Sequence, residues 1–153
     1  MFSTSQTTGY AILALGCLEE PGGRWVLAQE IAGSTKIPKP YLSKILHALR
    51  RSGLIRAKRG YCGGFALSLP MRRIRLLDVV RAVEGPGWLP QCMLGLADCS
   101  AFRLCPTHGF WRAERKRIEA VMRRLTMVEV CAALKENPHF RPAARPAAGH
   151  AGK

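Results

Sequence analysis

Acidic residues are scarce in this chain. Among 153 residues there are 10 Asp and Glu against 24 Lys and Arg, a net charge of +14 with a pI near 10.3. Acids this sparse leave no pair of carboxylates for general acid–base work, and neither a Ser/His/Asp arrangement nor a phosphate-binding P-loop is present, so the chain does not read as an enzyme. No apolar stretch reaches the roughly 20 residues needed to cross a bilayer, so no membrane association is expected. The run Ala11–Leu18 lacks a basic leader and is followed by Glu19 and Glu20, unlike a signal peptide. There is no internal repeat. A cytoplasmic, reducing setting is the expectation, and there clustered cysteines point to metal or redox chemistry rather than to disulfides.

What is abundant is positive charge, and it is unevenly placed. Between Lys36 and Arg81 there are 12 basic residues and one acid, Asp78. A solubilising charge would be spread evenly. Concentrated charge points to a polyanionic partner, nucleic acid above all.

The apolar pattern supplies a mainly α frame. Thr7–Leu18 reads as an apolar helix that ends in Glu19-Glu20-Pro21-Gly22-Gly23. Trp25–Ala32 reads as a short helix with Val26, Leu27 and Ile31 inward, followed by a tight connection over Gly33–Lys39. Pro40 opens the next helix, since proline early in a helix forfeits no hydrogen bond. Its Leu42, Ile45, Leu46 and Leu49 recur at i, i+3, i+4 and i+7, one buried face. The opposite face carries Lys39, Tyr41, Ser43, Lys44, His47, Arg50 and Arg51, and Gly53 closes the helix. Two short helices with a basic outer face match a helix-turn-helix, although a plain helical hairpin with a solvated face has the same pattern.

The next segment narrows the choice. Leu54–Lys58 and Phe65–Leu69 read as short strands joined by Arg59-Gly60-Tyr61-Cys62-Gly63-Gly64, a glycine-tipped hairpin. Helix-turn-helix plus basic hairpin is a winged helix, mainly α with a small β wing. Base reading is expected from the first turns of the recognition helix, about Lys39–Lys44, with Lys36, Lys58, Arg59, Gly60 and Tyr61 at the backbone of double-stranded DNA. Arg75–Glu84 is a further helix with Leu76, Leu77, Val79, Val80 and Val83 inward.

Beyond Gly85-Pro86-Gly87 the chain concentrates half of its six cysteines. Cys92, Cys99, Cys105 and His108 have the spacing C-x6-C-x5-C-x2-H. Thiolate and imidazole suit soft and borderline metals, and four such donors can close a tetrahedral shell. Spacing alone admits a structural zinc site and an iron–sulfur cluster about equally, and a histidine at a helix start can also be a cap or a surface group. Cys17 and Cys131 lie on apolar helix faces and read as small buried side chains. Cys62, at the wing tip near Lys58 and Arg59, is either an incidental exposed thiol or a redox-responsive one.

Phe110–Leu125 reads as a long amphipathic helix whose Trp111, Ile118, Val121, Met122 and Leu125 form an apolar stripe. Nothing obvious in the chain covers that stripe, so a second copy is the expected partner, with packing onto its own domain as the alternative. Thr126-Met127-Val128-Glu129 matches a capping box, with Leu125 and Val130 as the hydrophobic staple of a short last helix to about Leu134. The proline- and alanine-rich 137–153 stretch reads as disordered. Four segments are expected: a winged helix over 1–84, a cysteine loop over 85–109, a dimerisation helix and terminal helix over 110–135, and a tail over 136–153.

Five stretches together resemble one family, the small bacterial winged-helix regulators of the Rrf-two family typified by IscR, NsrR, RirA and CymR. They are Thr8–Ala11 at the start, Pro40–Ile55 over the recognition helix and first strand, Arg59–Phe65 at the wing, Asp78–Gly85 before the cysteine loop, and Leu125–Val130 at the end. The resemblance covers about residues 5–135. It implies a homodimeric, cytoplasmic transcription regulator, a repressor in the first instance. Members with three cysteines in this loop hold an iron–sulfur cluster, which here implies Cys92, Cys99 and Cys105. His108 resembles the histidine that completes a 2Fe–2S shell, and 4Fe–4S is the other form. The chain departs from the pattern in three places. The first cysteine gap is one residue longer, Ser43 replaces a usual Glu, and Gly9 stands where some members place an acidic ligand.

Overall fold

The computed structural model describes residues 4–96 and 105–136. Cys99 and the expected disordered tail lie outside the described residues. Six helices and one hairpin are ordered α1 (Gln6–Leu15), α2 (Ala28–Thr35), α3 (Lys39–Arg51), β1 (Ile55–Lys58), β2 (Gly64–Leu67), α4 (Leu76–Glu84), α5 (His108–Arg124) and α6 (Met127–Glu136), with a 3-10 turn at Met71–Arg73. The winged-helix reading holds.

The core forms where the apolar periodicity places it. Leu42, Ile45, Leu46 and Leu49 of α3 are each at most 2% exposed. They pack with Ala11, Leu15 and Leu18 from the first helical segment and with Ile74 and Val79. Each such side chain contributes roughly 1.5–3 kcal/mol of burial, as an upper estimate. The same core takes in Met127 and Cys131 from α6. That return is fixed by backbone pairing, since Leu76 N–H donates to Leu125 O at 2.9 Å and Met127 N–H to Ile74 O at 2.9 Å. The capping box at Thr126 is formed: Thr126 N–H donates to Glu129 Oε2 at 2.8 Å, and Glu129 N–H to Thr126 Oγ1 at 3.3 Å.

One expected helix is shorter at its start. Trp25 to Leu27 are extended rather than helical, and α2 begins at Ala28. The reason is a strand-like exchange: Val26 N–H donates to Phe65 O at 2.9 Å, and Phe65 N–H to Val26 O at 2.8 Å. Extended geometry turns alternate side chains to opposite sides, so Val26 is buried while Leu27, expected inward, is 51% exposed. At the other end α2 runs through Gly33 and Ser34 and stops at Lys36, which adopts a left-handed φ of +58°.

β1 and β2 pair antiparallel, with Ile55 opposite Leu67 and Lys58 opposite Gly64. The wing glycines have steric reasons. A Cβ on Gly63 would run into the carbonyl oxygens of Lys58 and Gly60, and one on Gly64, at φ +144°, would lie 2.6 Å from Val26 O. α4 carries Asp78 in its first turn, whose carboxylate accepts the Arg75 N–H at 2.9 Å. Its far end holds Glu84, which accepts hydrogen bonds from Ser5 N–H at 2.7 Å and Thr8 Oγ1 at 2.6 Å. This contact ties the start of α1 to the start of the cysteine loop.

Candidate nucleic-acid interface and cysteine loop

The outer face of α3 is exposed. Lys39, Tyr41, Ser43, Lys44, His47, Arg50 and Arg51 are all exposed there, Tyr41 at 38%. Lys36 is exposed at the left-handed end of α2, and Lys58, Arg59, Gly60 and Tyr61 are exposed at the wing, Tyr61 at 97%. None of these cations is spent on an acid among the described residues. The ion pairs found there join Arg24 to Glu19 and Glu30, and Arg117 to Glu114. Arg56 has a different occupation, 5.8 Å above the centre of the Trp25 ring.

A groove of about 510 Å³ lies between α3 and the wing. It brings together Ser43, His47 and Arg50 from the helix with Lys58, Arg59 and Gly60 from the hairpin. Lys36, Lys39, Tyr41, Lys44, Arg51 and Tyr61 do not line it. Leu27 and Phe65 form an apolar wall that sequence reasoning missed. Its signal was the run Trp25-Val26-Leu27, whose bulky and branched side chains favour extended backbone.

The cysteine loop is stitched to α5 at its beginning. Trp111 is 3% exposed, and its Nε1 donates to Pro90 O at 3.0 Å. One turn on, Arg115 Nη1 donates to Gln91 Oε1 at 2.9 Å. Cys92, the next residue but one after Pro90, is buried. The far end of the loop arrives at the same helix start, where Cys105 is half-buried and His108 is the first residue of α5. Cys105 Sγ lies 3.1 Å from Thr107 Oγ1. Hydrogen bonds from the Thr107 hydroxyl, then from the Thr107 and His108 backbone, hold the Cys105 thiol below its ordinary range, with burial opposing. This favours the thiolate, the form that binds metal. Among the described residues, no three His, Cys, Asp or Glu side chains converge as a finished metal shell. Cys105 and His108 stand at the start of α5, Cys92 follows the Pro90–Gln91 contact with the same helix, and the third cysteine lies outside the described residues.

One other expectation changes. Trp111 belongs to the loop contact within the chain and not to an open stripe. Its stripe neighbours Ile118, Met122 and Leu125 are half-buried, and Val121 is 48% exposed. Cys131 is buried in the core as expected, Cys17 is half-buried against it, and Cys62 is exposed at a left-handed φ of +58°.

A winged helix with a basic face can serve several ends, and comparison with known proteins decides among them. The family model Rrf2, described as an iron-dependent transcriptional regulator, matches residues 4–133. The chain belongs to the Rrf2 family. It is similar to an HTH-type transcriptional regulator of Aquifex aeolicus, 29% identical over 143 residues that cover 92% of this chain and 98% of the relative. A counterpart from Haemophilus influenzae is 32% identical over 79% of this chain and 81% of its own length. The HTH-type regulator IscR of Cereibacter sphaeroides is 35% identical over 74 residues, 48% of each chain. Among solved structures, T. potens IscR superposes with a TM-score of 0.66 at 25% identity, over 88% of this chain and 89% of that one. CymR, the global cysteine regulator of B. subtilis, has a TM-score of 0.68 at 20% identity, over 87% and 98%, a likeness of fold alone. As an Rrf2 protein the chain is a DNA-binding transcriptional regulator and not an enzyme. Among the described residues no helix is long and apolar enough to cross a membrane.

Proposed function

We propose that this Rrf2 protein is a cytoplasmic, homodimeric repressor that adjusts its grip on an operator through an iron–sulfur cluster held by Cys92, Cys99 and Cys105, with His108 as fourth ligand. The observation that carries the reading is the gathering of both ends of the cysteine loop at the start of α5, with the Cys105 thiol already biased to thiolate. The donor types fit the group: a buried Cys92 sulfur, a half-buried Cys105 sulfur and the His108 imidazole at the first residue of α5. When bound, such a cluster supplies a centre that reacts to iron supply, oxidants or nitric oxide.

The chain's own residues carry the signal outward. Glu84 links the beginning of the loop to α1, and Trp111 and Arg115 link it to α5. α1 and α4 pack against α3, the recognition helix. A change in the order of the loop therefore reaches α3 through packed helices. The exposed side chains of α5, Phe110 at 58% and Val121 at 48%, offer the seam for a second copy. A dimer presents two copies of α3, and their separation sets affinity for a two-half-site operator. In each half, Lys39 to Lys44 would reach base edges while Lys36, His47, Arg50, Arg51, Lys58 and Arg59 contact phosphates.

Anaerobic purification followed by visible absorption and labile-sulfide assay is the first test. Colour with sulfide is expected, whereas colourless protein with stoichiometric zinc would establish a zinc staple instead. The second test compares holo- and apo-protein on one operator at fixed salt, where equal affinity would end the switch mechanism.

A further inference from the structure

The groove between α3 and the wing flanks only one side of the recognition helix. A second cleft, of about 410 Å³, flanks the other. Its lining includes His47, Arg51 and Ser52 from the end of α3, and Arg81 and Gly85 from the end of α4. His47 borders both clefts, so α3 stands as a ridge between them. Two guanidinium groups face this cleft, and no ion pair among the described residues uses either of them. Like charges gathered without an acid repel one another, and an anion between them removes that repulsion.

From this geometry we infer that Arg81, with Arg51, forms a seat for a DNA phosphate on the strand opposite to the one under the wing. The inference rests on the reading of α3 as the recognition helix. A helix laid in the major groove has a phosphate backbone along each side. The wing, with Lys58 and Arg59, serves one of them. The Arg51–Arg81 cleft is the matching feature on the other side, and guanidinium groups grip phosphate in a planar, two-pronged way that suits it. Arg81 lies on a helix outside the helix-turn-helix and the hairpin, so the footprint extends to α4. Because α4 leads directly to the cysteine loop, this phosphate contact would feel any shift of that loop before the base-reading side chains do.

The test uses the full-length protein and a duplex that it selects from a random pool. Affinity is measured over a range of salt for the native chain, Arg81→Gln, Arg59→Gln and the double variant. Each lost phosphate contact lowers the slope of log K against log salt by about 0.9, equivalent to about 3.5-fold less affinity lost by the variant between 50 and 200 mM salt. Arg81→Gln is expected to lower the slope by that amount with thermal stability unchanged. The double variant is expected to lower it about twice as far, because the two contacts are on different strands. Ethylation interference is expected to lose one phosphate in Arg81→Gln, on the strand opposite to the phosphate lost in Arg59→Gln. An unchanged slope in Arg81→Gln, or loss of a phosphate on the same strand as for the wing, overturns the proposal. A rise in melting temperature with inorganic phosphate that needs Arg81, with the DNA slope unchanged, would assign the cleft to a free anion and also overturn it. If the native chain selects no duplex at all, it is the reading of α3 that fails.

Discussion

Gly64→Ala should separate the wing's two anchors. Gly64 adopts φ +144°, and a Cβ there would stand 2.6 Å from Val26 O, a backbone atom that cannot swing aside. The residue after it makes both hydrogen bonds that hold Val26 to the wing, at 2.8 and 2.9 Å. An L-residue in such a conformation costs about 1–3 kcal/mol. Breaking the two hydrogen bonds adds about 1 kcal/mol each, since the freed groups can reach water. The expected loss is roughly 3–5 kcal/mol, a large part of the ~5–15 kcal/mol that holds a domain of this size. Gly60→Ala is the control. Gly60 also has a positive φ, +92°, but a Cβ there meets nothing within 4 Å, so strain alone applies. Urea denaturation followed by circular dichroism, with equal m-values, should place Gly64→Ala about 2 kcal/mol below Gly60→Ala. Equal losses would refute the argument, because the Val26 bridge would then contribute nothing to stability.

Other outcomes rest on single features. Lys36→Gly relieves a left-handed φ of +58° and should raise stability by about 0.5–1 kcal/mol in denaturant titration, while loss of its charge weakens binding to duplex DNA. For Glu84, burial pushes the carboxyl up, but hydrogen bonds from Thr8 and Ser5 outweigh it and hold the group below its ordinary value of 4.5. Its folded-state value is thus the lower one, so its contribution is present above about pH 4.5 and fades as pH falls; stability measured against pH should decline there, and Glu84→Gln should flatten that decline. Val121→Glu places a charge on a side chain that is 48% exposed, so sedimentation should report monomer while the far-ultraviolet spectrum stays native.

The parts of the fold legible in the sequence are those set by neighbours along the chain. The four apolar residues of α3 repeat within two turns, so helical geometry alone puts them on one face. The Thr126–Glu129 box is complete within four residues, and the wing glycines mark a tight turn wherever they occur. What escaped depends on partners distant in sequence. Val26 is extended because Phe65 pairs with it, and the local run Trp25-Val26-Leu27 favours extended backbone without naming that partner. Trp111 reads as one member of an apolar stripe until the carbonyl of Pro90 is seen to satisfy its indole. The candidate metal centre was legible as a set of donor types. The bias of Cys105 toward thiolate was not, because it comes from Thr107 and the backbone at a helix start whose position shifted by two residues, from Phe110 to His108. Arg81 was hidden for the same reason, since only the packing of α4 on α3 brings it beside Arg51.

The fate of Trp111 changes how a second copy would be held. The expected stripe on α5 has two edges rather than one. Trp111, Arg115, Ile118 and Met122 recur at i, i+4, i+7 and i+11 and form an inner edge, none of it fully exposed. The first two are bound to Pro90 and Gln91 at the head of the cysteine loop. Phe110 and Val121, three turns apart, form the outer edge and remain open. One helix therefore touches the loop with one edge and leaves the other exposed, about a third of a turn apart around the axis. A disturbance of the loop that rotates α5 would move both edges together. If the proposed cluster and dimer form, no long path is needed between them, because the loop anchor and the open edge belong to a single helix.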